Sequence, residues 1–282
     1  MRRASGGGIG MIVLLFVGYL LLKSCAGIDL GQIVAGGPGT GLDAPVERRI
    51  DPGTNIGSDT GANTGTGVAG DETDAFLSTI LAETEDTWNR IFRDQLNAEY
   101  DEPVLNRFAN SAPTGCGTGS AATGPFYCPA DEDIYIDPTF FRTLARRFQA
   151  GGDFAQAYVI AHEVGHHVQQ ELGILGKFNA MRSRLSQREA NAMSVRVELQ
   201  ADCFAGIWAA DARNKGLLEE GDLEEAVNAA MQIGDDAIQE RTQGYSDPHT
   251  FNHGTSEQRR AAFLAGFQSG GDLRACDTNI FG

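Results

Sequence analysis

The segment that most constrains the fold of this chain runs from Ala157 to His167 and reads AYVIAHEVGHH. Its first half is apolar, which is typical of a buried helix. On a helix, His162 and His166 lie one turn apart on the same face, so both imidazoles can reach one metal ion at about 2.0 to 2.1 Å. Buried imidazole groups need partners, and a metal ion supplies one. The segment therefore predicts a buried helix that provides two ligands of a metal site.

Glu163 follows the first histidine and is turned partly away from the face that carries the pair. From there its carboxylate can reach a metal-bound water rather than the metal itself. Metal-dependent hydrolysis uses this arrangement to activate water. The pattern HExxH also arises by chance in roughly one chain in a hundred of this length, but the apolar flank favours the metal site.

A catalytic zinc ion usually takes three protein ligands, and the third should come from a separate element. The segment VELQADC at residues 197–203 offers two carboxylates on one helix face in an apolar neighbourhood, which suits a solvated helix face poorly. We expect Glu198 to bind the metal and Asp202 to accept the second ring N–H of a ligand histidine. Cys203 is a rival ligand, but it points about 100° away from that face, which favours a structural or disulfide role.

Other polar side chains are candidates for supporting roles. His167 is turned away from the face of the two ligands, and we expect it to support a ligand or to belong to the core. An oxyanion forms when water attacks a carbonyl, and a hydrogen-bond donor has to stabilise it. His253 is our catalytic candidate for that donor, beside Arg259 and Tyr245. A helix cap or a salt bridge is the alternative for each of the three.

The first 72 residues differ in composition from the rest. Residues 1–8 form a short basic segment, and residues 9–23 form an apolar run that we predict to be a transmembrane anchor. A cleaved signal peptide is the alternative, because it also combines a basic start with a short apolar run. Residues 24–72 are rich in Gly and Thr, which predicts a flexible linker. The positive-inside rule then places residues 73–282, a single domain, outside the cytoplasm.

The cysteines agree with export. Cys116 and Cys128 bracket a Gly/Pro-rich loop, and Cys203 and Cys276 are a second candidate pair, which an oxidising compartment would permit. The net charge of −16 argues against nucleic acid or an anionic membrane surface as a partner. Both are bound through clusters of Lys and Arg that the sequence lacks. The oligomeric state does not follow from the sequence.

The pattern of apolar residues predicts an α+β domain, in which a small sheet is followed by several helices. Two strand-like runs, 104–108 and 134–137, flank the cysteine loop, and the second is expected at a sheet edge because prolines enclose it. The expected helices are 73–97, 140–148, 154–172, 180–212, 223–243 and 256–267.

Together these motifs resemble those of the bacterial neutral zinc metallopeptidases, and the likeness covers the chain from about residue 73 onward. The layout of His162, His166, Glu198 and Asp202 is also similar to that of the wider gluzincin group. In that group a Glu is the third ligand, and an Asp four residues later supports a histidine. The resemblance implies a zincin-like fold, a Zn2+ cofactor and hydrolysis of peptide bonds. The segments that carry it are HEVGHHVQ (162–169), ELQADCFAG (198–206), GPFYCP (124–129), QIGDD (232–236), HGTSEQR (253–259) and CDT (276–278).

We therefore expect a single-pass bacterial membrane protein whose zinc-dependent peptidase domain cleaves peptide bonds in exported or envelope proteins. Glu163 would activate the zinc-bound water, and Tyr135 with its neighbours would form an edge strand along which an extended peptide lies. Two alternatives stay open. One is a membrane-anchored binding or regulatory protein with a non-catalytic zinc site, although a structural site has no use for Glu163. The other is a zinc amidase that acts on the cell wall.

Overall fold

The computed structural model describes residues 48–50, 67–277 and 280–281. The predicted anchor at residues 9–23 lies outside these residues, as does most of the predicted linker. Among the residues that are described, no helix combines the length and the apolar character that crossing a membrane requires.

The described part of the chain is an α+β fold of eight α-helices and six short strands. The strands are β1 (Arg48–Ile50), β2 (Leu105–Arg107), β3 (Ser111–Thr114), β4 (Gly117–Ser120), β5 (Phe126–Cys128) and β6 (Asp133–Ile136). The helices are α1 (Gly67–Ile91), α2 (Thr139–Arg147), α3 (Asp153–Glu171), α4 (Ile174–Arg182), α5 (Gln187–Asn214), α6 (Asp222–Gln232), α7 (Asp235–Gln243) and α8 (Ser256–Gln268).

Four strands form one mixed sheet in the order β1-β2-β6-β5, and β3 and β4 form a separate hairpin. β2 and β6 are parallel neighbours at the centre, while β1 and β5 pair antiparallel at the two sides. The edge position expected for residues 134–137, and for Tyr135 with them, is wrong because β6 has a partner on both sides. A proline limits the length of a strand but does not determine which neighbours flank it. β1 lies within the segment predicted as a linker.

The helix expected at residues 180–212 is two helices, α4 and α5. A new helix begins after Ser186, whose hydroxyl accepts a hydrogen bond from the Glu189 N–H, while the Glu189 carboxylate accepts one from the Ser186 N–H. This reciprocal cap satisfies two N–H groups that a continuous helix would bond internally. Apolar residues keep helical spacing across the break, so their spacing alone predicts one continuous helix.

The helix expected at residues 223–243 is also two, α6 and α7, and they are separated at Gly234. Its backbone is extended, with φ −66° and ψ 147°, and the next N–H, of Asp235, bonds to the Gly254 carbonyl at 2.8 Å. A Cβ on Gly234 would lie 2.5 Å from the backbone nitrogen of Ser256. The close passage of two backbones therefore ends the helix here and requires glycine.

α1 begins earlier than the expected residue 73, and a π-helical turn, Phe92–Leu96, replaces the last part of the expected helix. Trp88 of α1 is fully buried and packs edge-on against Phe204 of α5, with ring centroids 5.3 Å apart. α3 lies in the middle of the molecule, and α1, α5 and α6 pack against it. α3 therefore carries its polar side chains within a core.

Both expected disulfides are present. Cys116–Cys128 links the turn of the β3–β4 hairpin to β5, and Cys203–Cys276 links the C-terminal segment to α5. These links hold two irregular segments against the helices and strands that surround α3.

Candidate active site

Three side chains from α3 and α5 place ligand atoms around one point. Glu198 Oε2 lies 3.3 Å from His162 Nε2 and 3.6 Å from His166 Nε2. Zinc bonds of about 2.0 to 2.1 Å in a tetrahedron imply ligand atoms about 3.3 Å apart. The two imidazoles and the carboxylate therefore fit a zinc ion both in their chemistry and in their spacing.

The crossing of α3 and α5 brings these ligands together. Gly165 of α3 faces Ala201 of α5, and a Cβ on Gly165 would lie 2.9 Å from the Ala201 carbonyl oxygen. A larger residue would push the helices apart. Gly165 is next to His166, and Ala201 lies about one turn after Glu198 on the facing helix. The close crossing of α3 and α5 therefore sets the distance between the Glu198 carboxylate and the imidazoles.

Asp202 holds the imidazole of His162 in one orientation. Its Oδ1 lies 2.9 Å from His162 Nδ1 and also accepts a hydrogen bond from the Tyr158 hydroxyl at 2.5 Å. Arg259 donates to both carboxylate oxygens, through Nε at 2.8 Å and Nη2 at 2.9 Å. The carboxylate is fully buried. Since Nδ1 of His162 donates to Asp202, Nε2 is the ring nitrogen that would bind a metal, and it faces the other two ligand atoms.

The two carboxylates at the site are ionised at neutral pH. Burial alone would raise the pKa of Asp202, but Arg259 and His162 outweigh it and lower that pKa to about 2. Burial would likewise raise the pKa of Glu198, but His166 and His162 hold it well below its usual range. A metal ligand and the acceptor that supports another ligand both have to be anionic, and both conditions are met.

Glu163 faces the same cavity but is not one of the three side chains that could hold a metal ion together. Its side chain is buried, and burial raises the pKa of its carboxyl group. The backbone of Tyr127 in β5 acts in the opposite direction and favours the ionised form. A carboxyl group with a raised pKa can take up a proton and return it more readily near neutral pH.

The cavity that contains these groups is open on one side of the metal site and mostly apolar. Its polar residues include Asn179 and Arg182 of α4. Its apolar walls come from several helices and the residues that follow them, and include Phe140, Phe148, Val159, Leu175, Phe178, Ile233 and Ile238. A ligand in it would meet apolar side chains on most sides and the three ligand residues at one point.

His253 lies at the cavity and is fixed by Asp235. Its Nδ1 is 3.1 Å from Asp235 Oδ1, while Oδ2 accepts the backbone N–H groups of Asn252, His253 and Gly254. Burial alone would lower the pKa of His253, but Asp235 outweighs it and raises that pKa. With Nδ1 bonded to Asp235, the other ring nitrogen can donate toward the cavity.

The other two oxyanion candidates are placed differently. Arg259 lines the cavity, but its guanidinium donates to Asp202, to the Tyr158 hydroxyl and to the carbonyl oxygen of Ile233. Tyr245 is 63% exposed and does not line the cavity. The geometry therefore favours His253 among the three.

Two residues considered near the metal have separate roles. His167 lies on the other side of α3, where Nε2 is 2.6 Å from the Asp101 carbonyl oxygen and Nδ1 is 3.2 Å from the Tyr127 hydroxyl. Cys203 is in a disulfide, so it has no thiolate to offer as a ligand.

Three residues that orient the site were missed in the sequence. Tyr158 supports Asp202, Asp235 supports His253, and Gln169 Oε1 lies 2.9 Å from Nδ1 of His166. Each had a signal. Tyr158 is one turn before His162, Gln169 is one turn after His166, and Asp235 belongs to the QIGDD segment.

The family model described as "Putative neutral zinc metallopeptidase" matches residues 1–279. Uncharacterized protein YpfJ of Escherichia coli (strain K12) is 45% identical over 273 residues, which cover 97% of this chain and 86% of that protein. Uncharacterized protein Rv2575 of Mycobacterium tuberculosis (strain ATCC 25618 / H37Rv) is 43% identical over 190 residues, 64% of this chain and 63% of that protein. No solved structure matches. The family implies a zinc cofactor, which the donor set fits, and the chain belongs to the neutral zinc metallopeptidase family.

Proposed function

We propose that this protein is a zinc-dependent peptidase with a zincin-like fold that hydrolyses peptide bonds in exported or envelope proteins. One observation carries the proposal. The ligand atoms of His162, His166 and Glu198 converge within one cavity, and Glu163, a buried carboxyl group that is not a ligand, faces the same cavity. A structural zinc site would be closed by a fourth protein ligand and would have no use for this carboxyl group.

The chemistry divides between the metal and the side chains around it. His162, His166 and Glu198 would hold a zinc ion, which would act as a Lewis acid on a carbonyl group and on water. The Glu163 carboxylate takes the proton from the attacking water and later delivers it to the leaving amine. Its raised pKa suits both transfers. The imidazole of His253 donates a hydrogen bond to the negative oxygen that develops on the carbonyl.

The substrate lies along β5 rather than along the strand that contains Tyr135. β5 is an edge strand, and its Tyr127 lines the cavity together with the flanking Pro125 and Pro129. An extended peptide can add to such an edge through backbone hydrogen bonds while its side chains occupy the apolar cavity. The position of β5 beside Glu163 brings a peptide on this edge close to the general base.

The same proposal places the domain outside the cytoplasm, attached to the bacterial membrane through residues 9–23. Two disulfides support this location, because such bonds persist in oxidising compartments. A tethered peptidase of this kind would act on proteins that reach the envelope.

The proposal is tested on the full 282-residue chain by measuring bound zinc and the degradation of casein in the same samples. We expect Glu163→Gln to keep its zinc and lose at least about a hundredfold in rate, as for removal of a general base. Glu198→Ala should lose zinc. Glu171→Gln, at the end of the same helix, is the matched control and should retain both.

If the wild type binds zinc and cleaves no protein, but releases peptide fragments from purified cell wall, the amidase reading replaces the peptidase. If Glu163→Gln is as active as the wild type, its role as general base is refuted.

A further inference from the structure

A buried row of side-chain amides connects a metal ligand to the C-terminal segment. His166 Nδ1 lies 2.9 Å from Gln169 Oε1, and Gln169 Nε2 donates to the Val197 carbonyl oxygen at 2.7 Å and to Gln200 Oε1 at 3.1 Å. Gln200 Nε2 in turn donates to the Cys276 carbonyl oxygen at 2.9 Å. Gln169 is fully buried, and Gln200 and Cys276 are nearly so. Water therefore does not compete for these bonds.

Two backbone carbonyl groups fix the direction of every bond in this row. A carbonyl oxygen can only accept, so the amide group that faces it must be the donating NH2 of the glutamine. The Val197 carbonyl orients Gln169, and the Cys276 carbonyl orients Gln200. Gln169 consequently presents its oxygen to His166, whose Nδ1 has to carry the proton. Nε2, the atom that faces Glu198, is then the nitrogen that would bind a metal.

We propose that Gln169 and Gln200 are positioning residues for His166, and that the carbonyl group of Cys276 makes the C-terminal segment a structural part of the metal site. The inference rests on the proposed metal site, but it concerns how that site is built and does not depend on the bond that is cleaved. It also gives a role to three of the sequence motifs, which contain Gln169, Gln200 and Cys276.

The disulfide Cys203–Cys276 completes this arrangement. Cys276 is 73 residues from Cys203, which lies one helical turn after Gln200 on α5, and the bond between the two cysteines holds the Cys276 carbonyl group beside Gln200. Without the bond, the C-terminal segment could leave α5, and Gln200 would lose the acceptor that orients it. The first ligand, His162, is held separately by Asp202 and would be unaffected.

The test is the zinc affinity of the full chain, measured by competition with a chromophoric chelator, for Gln169→Met, Gln200→Met and the double variant. Methionine keeps the length of the side chain and removes both hydrogen-bonding groups. We expect Gln169→Met to weaken zinc binding about tenfold to a hundredfold, as for other residues that orient a ligand. The two changes should not add, because they break the same row. Gln170→Met, on the adjacent exposed side of α3, is the matched control and should bind as the wild type.

A second readout separates positioning from general stability. Proton NMR of zinc-loaded samples should show the hydrogen-bonded Nδ1–H of His166 in the wild type and lose that signal in Gln169→Met, with the Nδ1–H signal of His162 unchanged. A Gln169→Met protein that is folded, binds zinc within twofold of the wild type and keeps the Nδ1–H signal of His166 would overturn the inference. If Gln169→Met does not fold, Gln200→Met decides by the same criteria. A wild type that binds no zinc at all would instead refute the proposed site.

A different observation, at the rim of the cavity, concerns the substrate. Phe178, Asn179 and Arg182 of α4 line the cavity, and the Arg182 guanidinium lies 5.5 Å from the Phe178 ring centroid. Within the described part of the chain, neither Arg182 nor Asn179 has a side-chain hydrogen bond, and Arg182 has no acidic partner. Partial burial lowers the pKa of Arg182. A cation in this setting gains from an anion that enters the cavity.

The geometry points to a carboxylate-binding subsite at Arg182 and Asn179, which selects peptides with an acidic group close to the cleaved bond. The subsite rests on the proposed peptidase activity. An aspartate or glutamate side chain and a free C-terminal carboxylate share this chemistry.

The subsite is tested by digesting a defined peptide library with the full-length protein and reading the cleaved bonds by mass spectrometry. We expect acidic peptides to be cleaved preferentially, and Arg182→Gln to lower their kcat/KM about tenfold without affecting neutral analogues. Arg184→Gln, on the neighbouring exposed turn, is the control. Amidated C-termini distinguish the terminal carboxylate from side chains. Equal cleavage of acidic and neutral peptides by the wild type overturns the subsite alone, whereas no cleavage of any peptide refutes the peptidase proposal and the subsite with it.

Discussion

Removing Arg259 should show how much of the fold depends on the ionic network below the metal site. Arg259 is 2% exposed and donates hydrogen bonds to both oxygens of Asp202, to the Tyr158 hydroxyl and to the Ile233 carbonyl oxygen. Arg259→Leu would leave a fully buried carboxylate with two of its donors removed. Breaking a buried ion pair costs about 3 to 5 kcal/mol, a large share of a typical stability of about 5 to 15 kcal/mol.

The double variant separates the loss of the pair from the burial of an unpaired charge. In Arg259→Leu/Asp202→Leu both charges are gone, so we expect most of the lost stability to return. Zinc affinity should nevertheless fall about tenfold to a hundredfold, because His162 no longer has an acceptor at Nδ1. Stability and metal binding would thus move in opposite directions between the single and the double variant.

The assay is urea unfolding of the full chain in the presence of a chelator, so that zinc binding does not contribute to the free energy of unfolding. Zinc affinity is measured separately by competition. The reasoning is refuted if Arg259→Leu loses less than about 1 kcal/mol, or if the double variant is no more stable than the single one.

Three further predictions follow from other parts of the molecule. The pKa of Glu85 is raised from its ordinary value of 4.5 to about 8, mainly by burial and then by the charges of Glu102 and Asp86. Glu85 therefore lowers the stability of the fold as the pH rises from 4.5 to about 8. Glu85→Gln should reduce the loss of stability with rising pH, as measured by urea unfolding, and raise stability at pH 8 by about 2 kcal/mol. A pH dependence equal to that of the wild type would contradict this. A Cβ at Gly206 would lie 2.0 Å from a backbone oxygen of α8, so Gly206→Ala should cost about 3 kcal/mol. Gly176→Ala, in open space on α4, should instead stabilise the fold by about 0.5 to 1 kcal/mol. Similar effects of the two changes would argue against the close contact of α5 with α8. Removing zinc with a chelator should lower the melting temperature, because free zinc at a hundredfold excess over its Kd stabilises the folded state by about 2.7 kcal/mol. An unchanged melting temperature would show that zinc does not bind to the folded state.

The sequence contained enough to predict which side chains the structure brings together as candidate metal ligands. Side chains four residues apart on a helix lie on one face, so the histidine pair and the pairing of Glu198 with Asp202 are local properties of single helices. Their meeting is not local. It depends on Gly165 allowing α3 and α5 to approach, and no spacing within either helix indicates that contact.

The errors in the fold have the same origin. Apolar spacing continues through Ser186 and Gly234, where a cap and a close backbone contact end helices. The edge strand was misassigned because pairing partners come from distant segments, β2 and β5 for β6. The row of hydrogen bonds from His166 to Cys276 could not be predicted either, since the carbonyl groups that determine the direction of these bonds belong to other segments.

The most direct test of the account is anomalous diffraction at the zinc edge from crystals of the full chain grown with zinc. We expect one peak about 2.0 to 2.2 Å from Nε2 of His162, Nε2 of His166 and a carboxylate oxygen of Glu198, with the Glu163 carboxylate outside bonding distance. A zinc ion bound directly by Glu163, or bound only at another acidic group of the surface, would contradict the assignment of ligands and base on which the proposed peptidase rests.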